Sequence, residues 1–352
     1  MKALRYHGRA DVRVEDLPTP DPADGEILVR IATTGICGSD IHEYRGGPLA
    51  IPLDTPHPLT GDRAPVTMGH EFSGTIVALG SGATGLRVGQ RVAASAVLRC
   101  GTCPSCTAGH PQLCRTLGFH GISGGGGAFA EFDAFPAYLA NPLPDEISDE
   151  AGALLEPLAT GIHAVGRSGL TPGQSALVVG AGPIGLMVVV AALAAGADQI
   201  IVSEPSPVRA KAAARFGATA VLDPKADDVV ARVRELTGGH GVDAAFDTAA
   251  APTSFDTALA AVRPRGHVVN VAVWENPTPL QPNALLFSEA TITGSLAYTP
   301  AEFTRAVEIA AGGAHDLESM VTRSIALADV VTHGFERLAA DPGADIKVLV
   351  RP

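Results

Sequence analysis

The sequence has 352 residues, of which 46% are hydrophobic and 18% are charged, and its formal net charge at pH 7 is -12. This length exceeds that of most single cores, so two domains are expected, and the composition excludes a disordered chain. The acidic balance, without a cluster of Lys or Arg, argues against nucleic acid as a partner, because counterion release would not drive binding.

The first part of the chain has the pattern of a small all-β domain. From Met1 to about Phe135, short apolar runs alternate with Gly and Pro, as in residues 26–33, 72–79 and 90–96. Such runs predict short strands. The first residues contain no apolar stretch of the secretory type, so the expected compartment is the cytoplasm.

After Glu150 the pattern changes to repeated β-α units. Apolar β runs at 177–179, 200–202, 220–222, 244–246 and 268–271 are each followed by an Ala-rich helical stretch. Repeats of this kind predict a parallel, doubly wound sheet. The units end near Gly294, and a helix and a closing strand follow within 324–350. We therefore expect one domain of 1–155, to which 290–352 returns, and a second of 156–289.

Two other segments need interpretation. Residues 176–197 are uncharged over a length that satisfies a simple membrane-span rule. Gly180, Gly182, Pro183 and Gly185 divide the segment into a strand, a turn and a helix, so we reject a membrane span. The Pro-rich insert at 46–65 is too long for a simple connection, and we expect a functional loop there.

Four of the five cysteines form one cluster. Cys100, Cys103, Cys106 and Cys114 have the spacing C-x2-C-x2-C-x7-C. Four thiolates suit a closed tetrahedral zinc site, and a chain without an export signal favours metal thiolates over disulfides. An iron-sulfur cluster is the alternative, because its spacing also begins C-x2-C-x2-C, but no second cluster motif is present. The cluster predicts a structural zinc.

A second group of metal-ligand residue types is dispersed along the chain. Cys37 lies in G-I-C-G-S-D-I-H and His70-Glu71 in G-H-E-F-S-G, each at an end of a predicted strand, and Glu156 lies where the second domain begins. A thiolate, an imidazole and a carboxylate leave one position open for water or substrate, as a catalytic zinc requires. Taken singly, these residues also fit a core cysteine, a buried imidazole, a surface charge and a helix-start carboxylate.

A glycine-rich loop follows the predicted strand at 177–179. Its sequence, Gly180-Ala-Gly182-Pro183-Ile184-Gly185, matches G-x-G-x-x-G between a strand and a helix, which indicates a dinucleotide pyrophosphate site. A plain helix-start turn is the alternative.

Glu204 ends the next predicted strand, where a carboxylate accepts hydrogen bonds from the adenosine ribose and repels a 2'-phosphate, so NAD is predicted over NADP. Arg209 could meet such a phosphate, but we interpret it as covering the adenine or as a solvated helix charge.

The motifs C-G-S-D-I-H, G-H-E-x2-G-x5-G and the four-cysteine lobe occur together in the order and spacing of the zinc-dependent medium-chain alcohol dehydrogenases, which the chain resembles over essentially its whole length. The resemblance implies an α/β fold with a GroES-like β-rich catalytic domain and a Rossmann NAD-binding domain. It implies one catalytic and one structural zinc, and a homo-oligomer that is a dimer or a tetramer.

The same resemblance assigns roles to individual residues. It implies that Cys37 and His70 bind the catalytic zinc, that Glu156 stands where many relatives carry a further ligand, and that Glu71 approaches the metal in some states. The roles of the remaining residues are a carboxylate that orients His70 (Asp40), a proton relay to solvent (Ser39 and His42), and cofactor contacts (Thr160, Thr248, Val271 and Val273). Core packing is the alternative for both valines.

Three stretches narrow the substrate. The insert 46–65 through G-H-E, the run G-F-H-G-I-S-G-G-G-G-A-F-A-E, and G-S-L-A-Y-T resemble those of (R,R)-butanediol dehydrogenases. Sorbitol-type relatives carry an arginine near Ala297, whose side chain cannot donate a hydrogen bond, so a short secondary alcohol or vicinal diol such as 2,3-butanediol is favoured. Candidate pocket residues are Phe119, Ile122 and Leu296, which also fit a core. The alternatives are a polyol (sorbitol-type) or threonine dehydrogenase, and a zinc-containing binding protein without activity.

Overall fold

A computed structural model of the chain describes residues 1–343 and 345–352. The described residues divide into two compact units, Met1–Glu156 with Thr299–Pro352, and Pro157–Tyr298. No helix in the described ranges is long and apolar enough to span a membrane. The uncharged segment that satisfied the span rule is instead a buried strand, a turn and a helix.

The first unit is rich in strands. In chain order the strands of its N-terminal part are β1 (Lys2–Gly8), β2 (Asp11–Asp16), β3 (Glu26–Gly35), β4 (Val66–Thr67), β5 (Glu71–Leu79), β6 (Arg91–Ala94), β7 (Val97–Leu98), β8 (Gly118–Phe119), β9 (Phe132–Pro136) and β10 (Ala140–Pro142). Its helices there are α1 (Gly38–Gly46), α2 (Pro104–Thr107) and α3 (Asp149–Ala153), and α4 (Leu155–Ser168) leads into the second unit. Residues 47–65 contain neither a helix nor a strand.

The second unit alternates strands and helices. Its elements are β11 (Ser175–Val179), α5 (Pro183–Ala194), β12 (Gln199–Ser203), α6 (Pro207–Arg215), β13 (Ala220–Leu222), α7 (Val229–Leu236), β14 (Val242–Asp247), α8 (Ser254–Ala261), β15 (Val262–Asn270), α9 (Pro282–Ser288) and β16 (Thr291–Gly294). The chain then continues in the first unit with α10 (Pro300–Ala311), β17 (Val321–Ala326), α11 (Arg337–Ala340) and β18 (Lys347–Arg351).

The sheet of the second unit is parallel, with the strand order β13-β12-β11-β14-β15-β16. The order reverses direction between β11 and β14, which is where doubly wound sheets bind ligands. Leu177, Ile201, Ala245 and Val268 are fully buried because both faces of a parallel sheet are covered. This sheet and the β-rich first unit are the predicted fold class, and the prediction is confirmed.

The main sheet of the first unit is mixed. Its order is β10-β6-β5-β3-β18-β17, with β9 also paired to β3. The closing strand predicted from I-K-V-L-V is β18, and it lies beside β3, where Leu349 pairs with Gly35. Strand β17, which pairs in parallel with β18, was missed by the sequence pattern. One face of this unit packs around Leu4, Met68, Phe129 and Val348.

Candidate zinc and dinucleotide sites

Cys37 occupies the turn between the end of β3 and the start of α1. Its backbone N–H donates to Oδ2 of Asp40 at 2.9 Å, so a carboxylate in the first turn of the helix holds the backbone of the cysteine. Asp40 is fully buried, and burial raises its pKa to about 6. The helix thereby aims Cys37 and Asp40 at the same region of the first unit.

His70 lies between these two residues and Ser39. Its Nδ1 is 3.5 Å from Oδ1 of Asp40, and its Nε2 is 3.2 Å from Oγ of Ser39. Burial lowers the pKa of His70, but the charge of Asp40 and a hydrogen bond with Cys37 raise that pKa well above its ordinary 6.5. The carboxylate therefore faces Nδ1, as expected for a residue that orients the ring, and Nε2 is directed at the candidate site.

Glu71, the first residue of β5, is buried rather than a surface charge. Its Oε2 accepts a hydrogen bond from Nζ of Lys347 at 2.5 Å, whereas its Oε1 is buried without a hydrogen-bond partner. Burial lowers the pKa of Lys347, but the charges of Glu71, Cys37 and Glu156 and the hydrogen bond with Glu71 together raise it above its ordinary value. The two residues form an ion pair that is 1% exposed on each side.

The ligand atoms of Cys37, His70 and Glu71 lie within 4.8 Å of one another. Oε1 of Glu71 is buried and makes no hydrogen bond. An unsatisfied carboxylate oxygen beside a thiolate and an imidazole fits a zinc ion with an open position.

Glu156 is outside this set, although it is 9% exposed and its charge raises the pKa of His70. Its predicted ligand role stays a prediction.

The predicted proton relay lies on α1. Ser39 contacts His70 directly, and His42 is a half-buried residue one turn further along the same helix. Residues three apart lie on one face of a helix, so the two side chains share a face of α1. The relay itself stays a prediction.

The four-cysteine lobe forms a second ligand cluster. The sulfurs of Cys100, Cys103, Cys106 and Cys114 lie within 4.8 Å of one another, and none is in a disulfide. Backbone N–H groups donate to these sulfurs, from Cys103 to Cys100 and from Cys100 to Cys114, both at 3.3 Å. Backbone donors lower the pKa of Cys100 to about 5, whereas burial raises that of Cys106 to about 12. Four convergent sulfurs fit a closed zinc site.

The glycine-rich loop joins β11 to α5. Gly180 has φ 98°, and a Cβ at Gly185 would lie 2.0 Å from the carbonyl oxygen of Gly180, so both positions require glycine. Gly182 caps the N-terminus of α5, and Pro183 and Ile184 begin the helix. Thr248 closes the other side, since its Oγ1 donates to the carbonyls of Val179 and Gly180 at 2.9 and 3.0 Å. The exposed N–H groups of such a helix start suit a pyrophosphate.

Glu204 directly follows β12 and is buried beside this loop. Its carboxylate accepts the backbone N–H groups of Ala181 and Ser206 at 2.7 and 2.8 Å. Arg209, on α6, has Nη1 3.9 Å from where a Cβ of Gly182 would stand. Glu204, which is predicted to bind the ribose, and Arg209, which is predicted to cover the adenine, therefore both border the glycine-rich loop.

The other predicted cofactor and pocket residues are more dispersed. Val271 follows β15 and donates its N–H to the carbonyl of Asp247 at 2.9 Å. Val273 is 61% exposed, which disagrees with core packing, and Leu296 is 43% exposed. Ile122 belongs to a core cluster of the first unit, and half-buried Phe119 packs against that cluster. Thr160 lies on α4, and its role as a cofactor contact stays a prediction.

Sequence patterns missed several residues that hold the insert in place. Hydrogen bonds join the insert at 46–65 to the segment 117–125, which includes the glycine-rich run that follows the four-cysteine lobe. His57 Nε2 lies 3.1 Å from the carbonyl of Leu117, and Thr60 donates to the carbonyl of Ser123 at 2.8 Å. In the same way, the N–H of Gly125 donates to Asp62 at 2.7 Å. The polar run H-P-L-T-G-D was the available signal.

Glu43 was also missed. It is 2% exposed, and its carboxylate accepts the N–H groups of Leu49 at 2.9 Å and Ala50 at 2.5 Å, which shapes the start of the insert.

Two family models match the chain. The family model of the alcohol dehydrogenase GroES-like domain matches residues 23–145, and that of the zinc-binding dehydrogenases matches residues 183–312. The chain belongs to the zinc-dependent medium-chain alcohol dehydrogenases, and it is therefore an oxidoreductase, as predicted.

Among individual proteins, the chain is 41% identical to the (R,R)-butanediol dehydrogenase of Bacillus subtilis (strain 168), with 100% of both chains covered. It is 34% identical to the sorbitol dehydrogenase of the same organism, over 100% of this chain and 97% of that one. The crystal structure of 2R,3R-butanediol dehydrogenase from Bacillus subtilis superposes with a TM-score of 0.92 at 40% identity, over 100% and 99% of the two chains.

Proposed function

We propose that this dehydrogenase interconverts (R,R)-2,3-butanediol and acetoin with NAD. The observation that carries the proposal is the clustered set Cys37, His70 and Glu71 in a chain that resembles a butanediol dehydrogenase from end to end. A polyol of the sorbitol type is the alternative substrate class. The absence of a donor side chain at Ala297 favours the short diol, because a long polyol needs more hydrogen-bonding partners.

The chemistry that a metal supplies here is simple. A zinc ion held by Cys37 and His70 would supply a Lewis acid that makes the substrate hydroxyl a stronger acid, and a bound nicotinamide would supply the hydride acceptor. The Ser39 hydroxyl, which lies beside His70, would accept a hydrogen bond from the substrate hydroxyl and receive its proton. His42 would then carry that proton to solvent.

Glu204 supports NAD as the preferred cofactor. Its carboxylate is held at the edge of the glycine-rich loop by the N–H groups of Ala181 and Ser206. A carboxylate fixed there accepts hydrogen bonds from ribose hydroxyls and repels a 2'-phosphate. Discrimination against NADP thus follows from charge and does not require a change in the loop.

The experiment is NADH formation from separate (R,R), meso and (S,S) 2,3-butanediol, on protein of known zinc content. Sorbitol and threonine serve as controls for the polyol and threonine alternatives. We expect the highest kcat/KM with an (R)-centred diol. A preference for sorbitol or threonine would refute the substrate assignment, and no turnover with two zinc ions bound would favour a binding protein without activity.

We also propose a homo-oligomer, a dimer or a tetramer, that acts in the cytoplasm. Strand β16 is the last in its sheet order, and Leu286 and Phe287 on the neighbouring α9 are 68% and 84% exposed. An open edge beside exposed apolar side chains favours pairing with a second copy. Light scattering should show an oligomer for the wild type and a smaller mass for Phe287→Asp. A monomeric wild type would refute the proposed oligomer.

The five cysteines, none of which is in a disulfide, fit a reducing compartment such as the cytoplasm.

A further inference from the structure

Lys347 is a buried lysine that the proposed chemistry does not use. Its side chain is 1% exposed, and Nζ donates to the carbonyl of Ile36 at 3.2 Å and to Oε2 of Glu71 at 2.5 Å. A charge removed from water in this way is retained only with a close partner. Lys347 therefore depends on Glu71, and Glu71 depends on Lys347.

The ion pair crosses a central strand. In the sheet, β3 lies between β5 and β18, and Gly35 pairs with Glu71 on one side and with Leu349 on the other. Lys347 is two residues before Leu349, so it shares the face of the sheet with that residue. A Cβ at position 35 would lie 2.3 Å from Oε2 of Glu71. Glycine at this position leaves the space in which the carboxylate meets the ammonium group.

This arrangement divides the two oxygens of Glu71 between two tasks. Oε2 is committed to Lys347, and Oε1 is buried without a hydrogen-bond partner. Glu71 also offers a ligand atom within 4.8 Å of those of Cys37 and His70. A carboxylate restrained by one oxygen approaches a metal less closely than one that is free to turn both oxygens toward it.

We infer that Lys347 is a positioning residue that restrains Glu71 and so limits the negative charge that its carboxylate brings to the catalytic zinc, which would keep the metal a stronger Lewis acid for the alcohol. The inference rests on the proposed zinc site at Cys37 and His70. Without the ammonium group, the buried carboxylate has its charge balanced by the metal alone. The metal-free protein would then be destabilised more than the metal-bound one, so zinc affinity would rise while the acidity that the metal gives the alcohol would fall.

The test compares Lys347→Met with the wild type in the full-length protein. We expect the variant to retain its catalytic zinc against about tenfold more competing chelator, which is the scale of effects from residues that contact metal ligands. The four-cysteine zinc should be released as in the wild type and serves as the internal reference. With cobalt in the catalytic site, the visible spectrum should change, and kcat/KM should fall.

Three further variants isolate the cause. Lys347→Arg keeps the charge and should restore the wild-type metal affinity and cobalt spectrum. In a Glu71→Gln background, Lys347→Met should change neither quantity further, because the restrained group is already neutral. Gly35→Ala separates the ion pair sterically without removing its charges, and it should also raise zinc affinity. It provides the test if Lys347→Met folds poorly.

Unchanged zinc affinity and an unchanged cobalt spectrum in both Lys347→Met and Gly35→Ala would overturn the inference. A shift that persists in the Glu71→Gln background would also overturn it, because the effect would then not pass through Glu71. These outcomes are separate from the substrate assignment. Lack of butanediol turnover by a wild type that carries both zinc ions would refute the proposed substrate, while the metal measurements would still decide the role of Lys347.

Discussion

The carboxylate of Glu204 accepts the backbone N–H of Ala181 at 2.7 Å, which joins the end of β12 to the glycine-rich loop. The same side chain is the proposed acceptor for the adenosine ribose. Glu204 therefore holds the loop and is proposed to select the cofactor, and substitution should affect both.

Glu204→Ala should lower the kcat/KM ratio of NAD to NADP about tenfold or more, because it removes hydrogen bonds to a charged group and a repulsive charge. Glu204→Gln keeps one acceptor oxygen without the charge, and it should relax discrimination while retaining more of the NAD activity. The measurement is steady-state kinetics with both cofactors. An unchanged ratio in both variants would place the selectivity elsewhere.

The glycines of the loop should respond differently to alanine. Gly185→Ala places a Cβ 2.0 Å from the carbonyl oxygen of Gly180, so it should lower the free energy of unfolding by about 1–3 kcal/mol. At Gly182 the nearest atom to a Cβ is Nη1 of Arg209 at 3.9 Å. Gly182→Ala should keep the wild-type melting temperature but weaken NADH binding, because the pyrophosphate needs close backbone approach. Thermal melts and NADH fluorescence titrations distinguish the two, and equal losses of stability would contradict this reading.

Cys37→Ser should abolish most of the activity, by about a hundredfold or more, because a thiolate ligand of the catalytic zinc is lost. The sulfurs of the four-cysteine lobe form a separate cluster, so its zinc should remain. The measurement is turnover together with zinc content. Normal turnover in this variant would contradict the catalytic assignment of Cys37.

Cys103→Ser should produce the opposite pattern. It removes one of four convergent thiolates, so the lobe zinc should be lost and the melting temperature should fall, because a structural zinc contributes folding energy. Activity per remaining catalytic zinc should be largely retained. Metal analysis and thermal melts make the comparison with Cys37→Ser, and an unchanged zinc content would mean that the lobe does not bind the metal.

Asp345 should couple stability to pH. Burial raises its pKa, but the hydrogen bonds and charges of Arg337 and Arg323 together lower the pKa by more than burial raises it. The pKa therefore lies below its ordinary 3.8. Since the folded-state pKa is depressed, the interaction stabilises the protein above the unfolded-state pKa and is lost as the pH falls through the folded-state value.

Asp345→Asn should therefore be less stable than the wild type near neutral pH, and the difference should shrink in acid below about pH 3.8. Urea midpoints across this range provide the measurement. A difference that persists in acid would assign the effect of the substitution to packing rather than to charge.

The features that the sequence predicted well are local ones. The glycine-rich loop and the four-cysteine lobe each depend on residues that are close in the chain, so their spacing already contains the geometry. The β-α repeats were visible for the same reason, because each unit carries its own apolar run. Strand β17 was missed because Val321–Ala326 alternates half-buried and exposed residues and has no strong apolar run.

The ion pair of Glu71 with Lys347 was not predictable in this way. The two residues are separated by 276 positions, and they meet only because β18 returns to lie beside β3. The pattern I-K-V-L-V predicted the strand, but a lone lysine in it reads as a solvent-facing charge. The role of Gly35 was equally hidden, because a glycine at the end of a strand is usually explained by the turn that follows.

The hydrogen bonds between the insert and the glycine-rich run have a consequence for engineering. Side chains of His57, Thr60 and Asp62 satisfy backbone groups of the other loop. A graft that replaced only one of these loops with that of a relative would lose these hydrogen bonds, each of which contributes about 0.5–1.5 kcal/mol to stability. Attempts to transplant substrate range between these enzymes should therefore exchange both loops together, as a single cassette.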